Sequence, residues 1–303
     1  MNKHHSMTWF EWTMLIGLSI IWGGSFFFIA LSAKELPSFT IVFLRVALAS
    51  LILWPTLILF GKKFPKDKEI WKMFFTIGLI NNVIPFSLIT WGQHHIASGL
   101  ASILNATTPF FTLLLAHFLT REERISKNRL SGLVIGFFGV ALIEGLDFAE
   151  EASVNNLAQL AVLGAAFLYG LAIVYGRRFN SMGINPIIAA TGQLTASTIV
   201  LFPIVLLVES PWALPFPGPG TWFAIFGLGA LSTALAFILY YRVLATAGAV
   251  NISLVTFLIP ISAIVLGVLF LNERLEIKHF TGMAIIWVGL AIIDGRFFKF
   301  LNS

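Results

Sequence analysis

Hydrogen-bonding and aromatic side chains recur inside the apolar stretches of this chain. Ser102, Asn105 and Thr108 lie three residues apart, so a helix presents them on one face. Side chains of this kind, lining a cavity, would offer hydrogen bonds and aromatic faces to a small, partly apolar solute. The candidate cavity residues are Trp22, Asn81, Trp91, Ser102, Asn105, Thr108, Tyr169, Gln193, Tyr240, Asn251 and Thr256.

Packing between helices is the alternative use of these side chains. Ser and Thr are common where membrane helices approach closely, and for a single Ser or Thr this is the better interpretation. For Asn81, Asn105 and Gln193, whose amides cost more to bury, packing and solute binding are equally good interpretations.

Arg45 is the one charged residue that lies clearly inside an apolar stretch. An Arg in mid-span costs at least roughly 2.5–3.5 kcal/mol on insertion scales, so Arg45 should face the interior and have a partner. It could contact a substrate carboxylate, act as a gate, or bind backbone carbonyls near the end of its helix. We expect a gating or structural role, which Pro109 and Pro260 share because proline bends helices.

Several kinds of chemistry are excluded. The chain has no Cys, so thiol catalysis and Cys metal sites are ruled out. No carboxylate lies near the middle of an apolar stretch, which argues against a buried acidic proton relay. His94, His95 and His117 could titrate, but interfacial histidines without coupling are the better interpretation. We predict no catalytic residue, no metal and no cofactor.

Membrane helices must position these residues. Of the 303 residues, 58% are hydrophobic and 11% are charged, whereas a soluble domain carries about 25% charge. The apolar runs are close to the roughly 20 residues that cross a bilayer as a helix, and too long for barrel strands of about ten residues. Spans 1 to 10 are predicted near 9–30, 39–60, 70–91, 96–118, 128–146, 156–176, 185–208, 220–242, 248–270 and 279–298.

The distribution of Lys and Arg predicts the orientation. If the N-terminus is cytoplasmic, most of the 19 Lys and Arg residues face the cytoplasm, and only Lys34, Arg274 and Lys278 face outward. This is the positive-inside pattern of a multi-pass protein of the cytoplasmic membrane, and ten spans then leave both termini in the cytoplasm. The pI near 9.6 therefore reflects topology and does not indicate a nucleic-acid partner.

The two halves of the chain repeat each other. Each repeat, 11–146 and 156–297, holds five spans, and an odd number places the second copy in the opposite orientation. The predicted fold is an all-α integral membrane protein with ten transmembrane helices in two inverted five-helix repeats. The matches are Trp22-Gly23 with Tyr169-Gly170, Leu36-Pro37 with Asn185-Pro186, Pro109 with Pro260, Glu123-Arg124 with Glu273-Arg274, and Gly132 and Gly139 with Gly282 and Gly289.

Inverted repeats are typical of secondary transporters, which bind substrate near the midplane between their halves. The chain resembles the EamA type of the drug/metabolite transporter superfamily in Trp22-Gly23, Arg45, the proline pattern that ends at Glu123-Arg124, and the glycines Gly132 and Gly139. The second repeat has no arginine at the Arg45 equivalent. The resemblance covers 11–296 and implies a ten-helix transporter, often an exporter of amino acids or related metabolites.

We therefore predict a secondary transporter, not an enzyme. It would move amino acids or similar neutral or zwitterionic metabolites by alternating access, through export or facilitated diffusion, because phosphates would need several interior Lys or Arg residues. The alternatives are a proton-coupled multidrug or metabolite antiporter and a non-transporting scaffold or sensor. The expected partners are a small-molecule substrate and the lipid bilayer; a monomer is compatible with the sequence.

Overall fold

The computed structural model of the chain describes residues 8–119, 126–144, 153–240, 242–243 and 255–294, and they form helices joined by short turns. Seven spans, 1 to 4 and 6 to 8, are long and apolar enough to cross a membrane. The helices are Trp9–Ser32 (span 1), Ser38–Leu59 (span 2), Lys68–Gly78 and Ile84–Gln93 (span 3), Ser98–Asn105 and Thr108–Leu119 (span 4), Lys127–Glu144 (span 5), Val154–Ser181 (span 6), Pro186–Ile204 (span 7), Pro219–Phe226 (span 8), Val255–Leu271 (span 9) and Ile277–Asp294 (span 10).

Spans 5, 9 and 10 have shorter apolar helices than the other seven. Their apolar portions are Arg129–Ile143, Leu258–Leu271 and Ile277–Ile293. The prediction of an all-helical protein is confirmed for the described residues, and these three helices lie where spans were predicted. Their crossing of the bilayer remains a prediction. The predicted start of span 9, Asn251 included, lies outside the described residues.

A π-helical segment interrupts span 3. It runs from Leu79 to Val83, between the two α-helices of the span. Pro85 follows directly, and proline has no N–H to bond the carbonyl oxygen of Asn81, four residues earlier. A π-helical turn accommodates such a local break in the α-helical hydrogen bonds, and turns of this kind are frequent at functional sites.

Span 8 contains a longer π-helical segment, Gly227–Leu235. Within it the hydroxyl of Thr233 donates a hydrogen bond to the carbonyl oxygen of Leu228, five residues earlier, at 2.8 Å. A third π-helical segment, Val205–Glu209, ends span 7 and is followed by a 3-10 turn, Pro211–Ala213. Spans 3 and 8, the third spans of the two predicted repeats, thus share a π-helical middle.

Span 4 is broken in its middle. Its first helix ends at Asn105 and its second begins at Thr108. Pro109 cannot donate to the carbonyl oxygen of Asn105, and the hydroxyl of Thr108 donates to that oxygen instead, at 2.8 Å. The proline predicted to bend this span therefore ends one helix and starts another.

Spans 5 and 10 cross at glycines. A methyl group on Gly139 would lie 2.8 Å from the carbonyl oxygen of Gly282, and one on Gly289 would lie 2.6 Å from the carbonyl oxygen of Gly132. These distances are shorter than van der Waals contact, so no larger residue fits without a backbone shift. In the repeat Gly132 matches Gly282 and Gly139 matches Gly289, so each glycine contacts the match of its neighbour.

Span 1 packs on span 9 as span 6 packs on span 4. A methyl group on Gly23 would lie 2.9 Å from the backbone nitrogen of Ala263, and one on Gly170 would lie 2.8 Å from that of Thr112. Ala263 follows Pro260 by three residues, and Thr112 follows Pro109 by three residues. Matching glycines therefore contact matching positions in the opposite halves.

We expect Gly139→Ala to lower the unfolding midpoint of the purified protein in detergent. The added methyl group meets backbone that cannot rotate away, and overpacking of this kind costs about 1–3 kcal/mol. Gly17→Ala is the matched control, because a methyl group on Gly17 meets nothing within 4 Å. Equal midpoints for the two variants would contradict the close crossing of spans 5 and 10.

Candidate functional site

Arg45 lies in a buried group formed by four spans. Its side chain is only 6% exposed. Its Nε donates a hydrogen bond to the hydroxyl of Thr233 at 2.9 Å, and its guanidinium carbon lies 3.8 Å from the ring centroid of Phe86. Phe86 in turn meets the ring of Tyr169 edge-on, with centroids 6.4 Å apart. We call Arg45, Phe86, Tyr169 and Thr233 the Arg45 cluster.

The partners of Arg45 are one aromatic ring and one hydroxyl. Stacking of a guanidinium on Phe86 is a cation–π contact, which strengthens away from water. Within the described part of the chain, no carboxylate pairs with Arg45 and no backbone carbonyl accepts a hydrogen bond from it. In the described structure, Arg45 therefore does not play the structural role considered from the sequence, in which it would bind backbone carbonyls near the end of its helix.

The π-helical segment of span 8 connects the Arg45 cluster to span 1. Ser232, next to Thr233, donates a hydrogen bond to the carbonyl oxygen of Ile21 at 3.0 Å. The neighbouring Trp22 contacts Tyr240, with ring centroids 5.7 Å apart. Trp22, Tyr169 and Tyr240, all predicted cavity residues, pack against the same buried cluster. The structure thus places Trp22 against Tyr240, and Tyr169 against Phe86 of the Arg45 cluster.

Asn81 and Gln193 pair with each other. The Asn81 amide nitrogen donates to the Gln193 side-chain oxygen at 3.1 Å, across spans 3 and 7. The neighbouring Asn82, fully buried, donates to the hydroxyl of Ser197 at 3.1 Å. This pairing agrees with the interpretation that the amides of Asn81 and Gln193 join helices to each other.

The polar face of span 4 divides in two. The hydroxyls of Ser102 and Thr108 donate to carbonyl oxygens of their own span, Gly99 at 2.6 Å and Asn105 at 2.8 Å. In contrast, the side-chain oxygen of Asn105 is buried and has no hydrogen-bond partner in the described structure. Asn105, at the break of the span, is thus the member of this face with an unused polar atom.

Three further candidates are Trp91, Thr256 and Asn251. Trp91 is 37% exposed and contacts His95, with centroids 5.1 Å apart, at the end of span 3. Thr256 is half-buried in span 9, and Pro260 lies inside the same helix. Asn251 falls outside the described residues.

Three glutamates hold helix ends together, a role that the sequence analysis did not predict. Glu273, between spans 9 and 10, accepts hydrogen bonds from the backbone nitrogens of Ser98 at 2.7 Å and Gly99 at 3.1 Å. These nitrogens belong to the first turn of span 4. Backbone N–H groups in the first turn of a helix have no hydrogen-bond partner within that helix. A carboxylate there also meets the positive end of the helix dipole.

The same arrangement recurs at spans 2 and 8. Glu209 accepts from the backbone nitrogens of Phe39 at 2.8 Å and Thr40 at 2.6 Å, at the start of span 2. Glu35 accepts from the hydroxyl of Thr221 at 2.8 Å at the start of span 8. The hydrogen bonds to Glu35, that from Thr221 first, lower the pKa of its carboxyl below 4.5. The pairing of such distant residues leaves no local signal in the sequence.

We expect Glu273→Gln to lower the unfolding midpoint in detergent, by about 1–2 kcal/mol of stability, because two hydrogen bonds lose their charged acceptor. The matched control is Glu276→Gln, whose exposed carboxylate pairs with Lys278 at 3.3 Å. An exposed pair of this kind contributes about 1 kcal/mol at most. Identical midpoints for the two variants would refute the capping role of Glu273.

Known proteins are similar to this chain over most of its length. The EamA-like transporter family matches residues 9–145 and 156–294. The uncharacterized transporter YoaV of Bacillus subtilis is 25% identical over 276 residues, which cover 91% of this chain and 94% of YoaV. The uncharacterized inner membrane transporter YedA of Escherichia coli K12 is 25% identical over 92% of this chain and 86% of its own. A crystal structure at 18% identity covers 96% of this chain and 98% of its own, with a TM-score of 0.66.

These matches and the apolar helices define a multi-pass membrane protein of a transporter class. The family match spans most of the chain, so the chain belongs to the EamA-like transporter family. The resemblance seen in the sequence is thereby confirmed. The crystal structure supports the fold alone.

Proposed function

We propose that this protein is a secondary transporter of the cytoplasmic membrane with ten transmembrane helices in two inverted five-helix repeats and both termini in the cytoplasm. It moves small organic metabolites, amino acids or similar neutral or zwitterionic solutes, by alternating access. The direction is export or facilitated diffusion along the substrate gradient. The observation that carries the proposal is the reciprocal contact between matching residues of the two halves.

Two helices related by a two-fold axis in the membrane plane run antiparallel and contact each other through exchanged positions. Gly132 with Gly289 and Gly139 with Gly282 form such an exchanged pair. Away from the axis, the two-fold relation instead produces two separate, equivalent contacts. These are the contact of Gly23 with span 9 and the contact of Gly170 with span 4. These contacts support an inverted repeat, which secondary transporters use to form inward- and outward-open states.

The polar contacts follow the same relation. In the first half, Arg45 of span 2 bonds to the π-helical segment of span 8. In the second half, Gln193 of span 7 bonds to the π-helical segment of span 3. The two halves thus use one contact scheme with different side chains, a cation in one and an amide in the other. This asymmetry supports a binding region that lies nearer the Arg45 side.

The breaks in the helices supply places for movement. Span 4 already consists of two helices joined at Ala106 and Thr107, and Pro260 lies within the matching span 9. Rotation at such breaks requires few hydrogen bonds to be lost, so Pro109 and Pro260 serve as hinges between the two states.

Counterflow in proteoliposomes tests the function. Vesicles that hold the purified full chain are loaded with unlabelled amino acids or metabolites, and uptake of the labelled solute is followed with and without a pH gradient. Uptake of one solute class that is indifferent to the gradient supports a facilitator. A requirement for the gradient favours the proton-coupled antiporter. Absence of flux for every solute favours the non-transporting scaffold or sensor.

We expect Asn105→Leu and Tyr240→Ala to reduce counterflow by about fivefold or more without loss of expression. Leu removes the unpaired Asn105 amide, and loss of one hydrogen bond to a bound solute costs about 1 kcal/mol or more. Ala removes the ring that contacts Trp22 at 5.7 Å. The control is Thr198→Val, whose hydroxyl bonds only to its own helix, at Leu194. Wild-type rates in both variants would remove Asn105 and Tyr240 from the binding region.

A further inference from the structure

We propose that the Arg45 cluster is a carboxylate-binding site, and that a carboxylate on the solute is required for its recognition while an amino group is not. The inference rests on the proposed transport function and names the part of the substrate that the protein reads. It assigns to Arg45 the substrate contact and replaces the gating or structural role that we expected from the sequence.

The terminal nitrogens of Arg45 are unused. A guanidinium has five N–H donors, and in the described structure Arg45 uses one of them, from Nε to Thr233. Arg45 has no atom among the fully buried, unpaired side-chain atoms of the described residues, so its Nη atoms keep some contact with accessible space. The Arg45 side chain is thus 94% covered, and its Nη donors stay slightly accessible.

The neighbours of Arg45 fix the direction of its Nη donors. Thr233 occupies Nε, and Phe86 covers one face of the guanidinium plane at 3.8 Å. The edge that carries both Nη atoms is left, and its spacing matches the two oxygens of a carboxylate. Because Phe86 and Thr233 belong to spans 3 and 8, the plane is held from two sides before a ligand arrives.

Tyr169 supplies a further donor. Its ring contacts Phe86, the ring that the guanidinium of Arg45 covers. Within the described structure its hydroxyl has no hydrogen-bond partner, and it is not among the sealed, unpaired atoms. Because Phe86 contacts both residues, the phenol of Tyr169 could donate a charge-assisted hydrogen bond to the anion that Arg45 binds.

The charge of the cluster selects the ligand class. Arg45 is a buried cation that no carboxylate of the described residues neutralises, and a monovalent anion removes that penalty. A phosphate would need more than one cation, and Arg45 is the one Lys or Arg that lies clearly away from the ends of the predicted spans. No Asp or Glu lies near the middle of a span, so the cluster offers no ion pair to an ammonium group. Small monocarboxylates, amino acids among them, fit this chemistry.

Ligand-dependent unfolding of the full chain in detergent tests the site without reliance on transport. The common L-amino acids and short-chain monocarboxylates are screened for a rise in the unfolding midpoint. For the solute with the largest rise, its carboxamide and its des-amino acid are then titrated. We expect the des-amino acid to bind and the carboxamide to bind at least about tenfold more weakly, since charge-assisted hydrogen bonds are roughly twice as strong as neutral ones.

Two variants connect this dependence to the cluster. Arg45→Gln removes the cation and should abolish the rise. Tyr169→Phe keeps the ring against Phe86, loses only the hydroxyl and should weaken binding several-fold, which covers the case that Arg45→Gln does not fold. Lys72→Gln is the control, since Lys72 is exposed and pairs with Glu69, and it should leave the rise unchanged.

The proposal is overturned if no carboxylate raises the midpoint, if the carboxamide binds as well as the acid, or if Tyr169→Phe and a folded Arg45→Gln bind as the wild type does. Counterflow separates this failure from failure of the transport function. A rise that depends on the carboxylate, without flux, would preserve the site and refute transport. Flux of a solute without a carboxylate, unchanged in Tyr169→Phe, would preserve transport and refute the site.

Discussion

The backbone of this protein must satisfy its own hydrogen bonds, because the core of a bilayer offers no water to an exposed N–H or C=O group. Proline removes a donor, and Thr108 supplies its hydroxyl to the carbonyl of Asn105 where Pro109 cannot. The first turn of a helix leaves donors unpaired, and Glu273 supplies a carboxylate to Ser98 and Gly99. The breaks, π-helical segments and loop carboxylates are therefore parts of one solution to a single constraint.

The fold follows from the sequence as far as it depends on local composition and repetition. Apolar runs of bilayer length predicted the helices. Apart from a closed β-barrel, only a helix satisfies all of its backbone hydrogen bonds in lipid. The matching glycines predicted that spans 5 and 10 are related, and the structure finds Gly139 against Gly282. A glycine pattern of this kind is readable because only a residue without a side chain permits such an approach.

The site was predictable only in part. Arg45 was evident because an intramembrane charge is rare, and the side-chain types of Trp22, Tyr169 and Tyr240 marked them as candidates. The partners of Arg45 were not evident, because nothing in the sequence distinguishes Phe86 and Thr233 from other residues of their types. They contact Arg45 only because of how spans 3 and 8 pack against span 2. The same holds for Asn81 and Gln193, whose mutual hydrogen bond joins positions far apart in sequence. Which polar groups pair with each other depends on helix rotation, and composition does not determine it.

The glycine crossing of spans 5 and 10 also limits how the two copies of the repeat can diverge. Gly132 sets the space available at position 289, and Gly139 sets the space at position 282. A larger side chain accepted in one copy must be matched by a shift of the other copy's backbone. At this crossing, the mutational history of each half is tied to that of the other, although the two are separate in sequence.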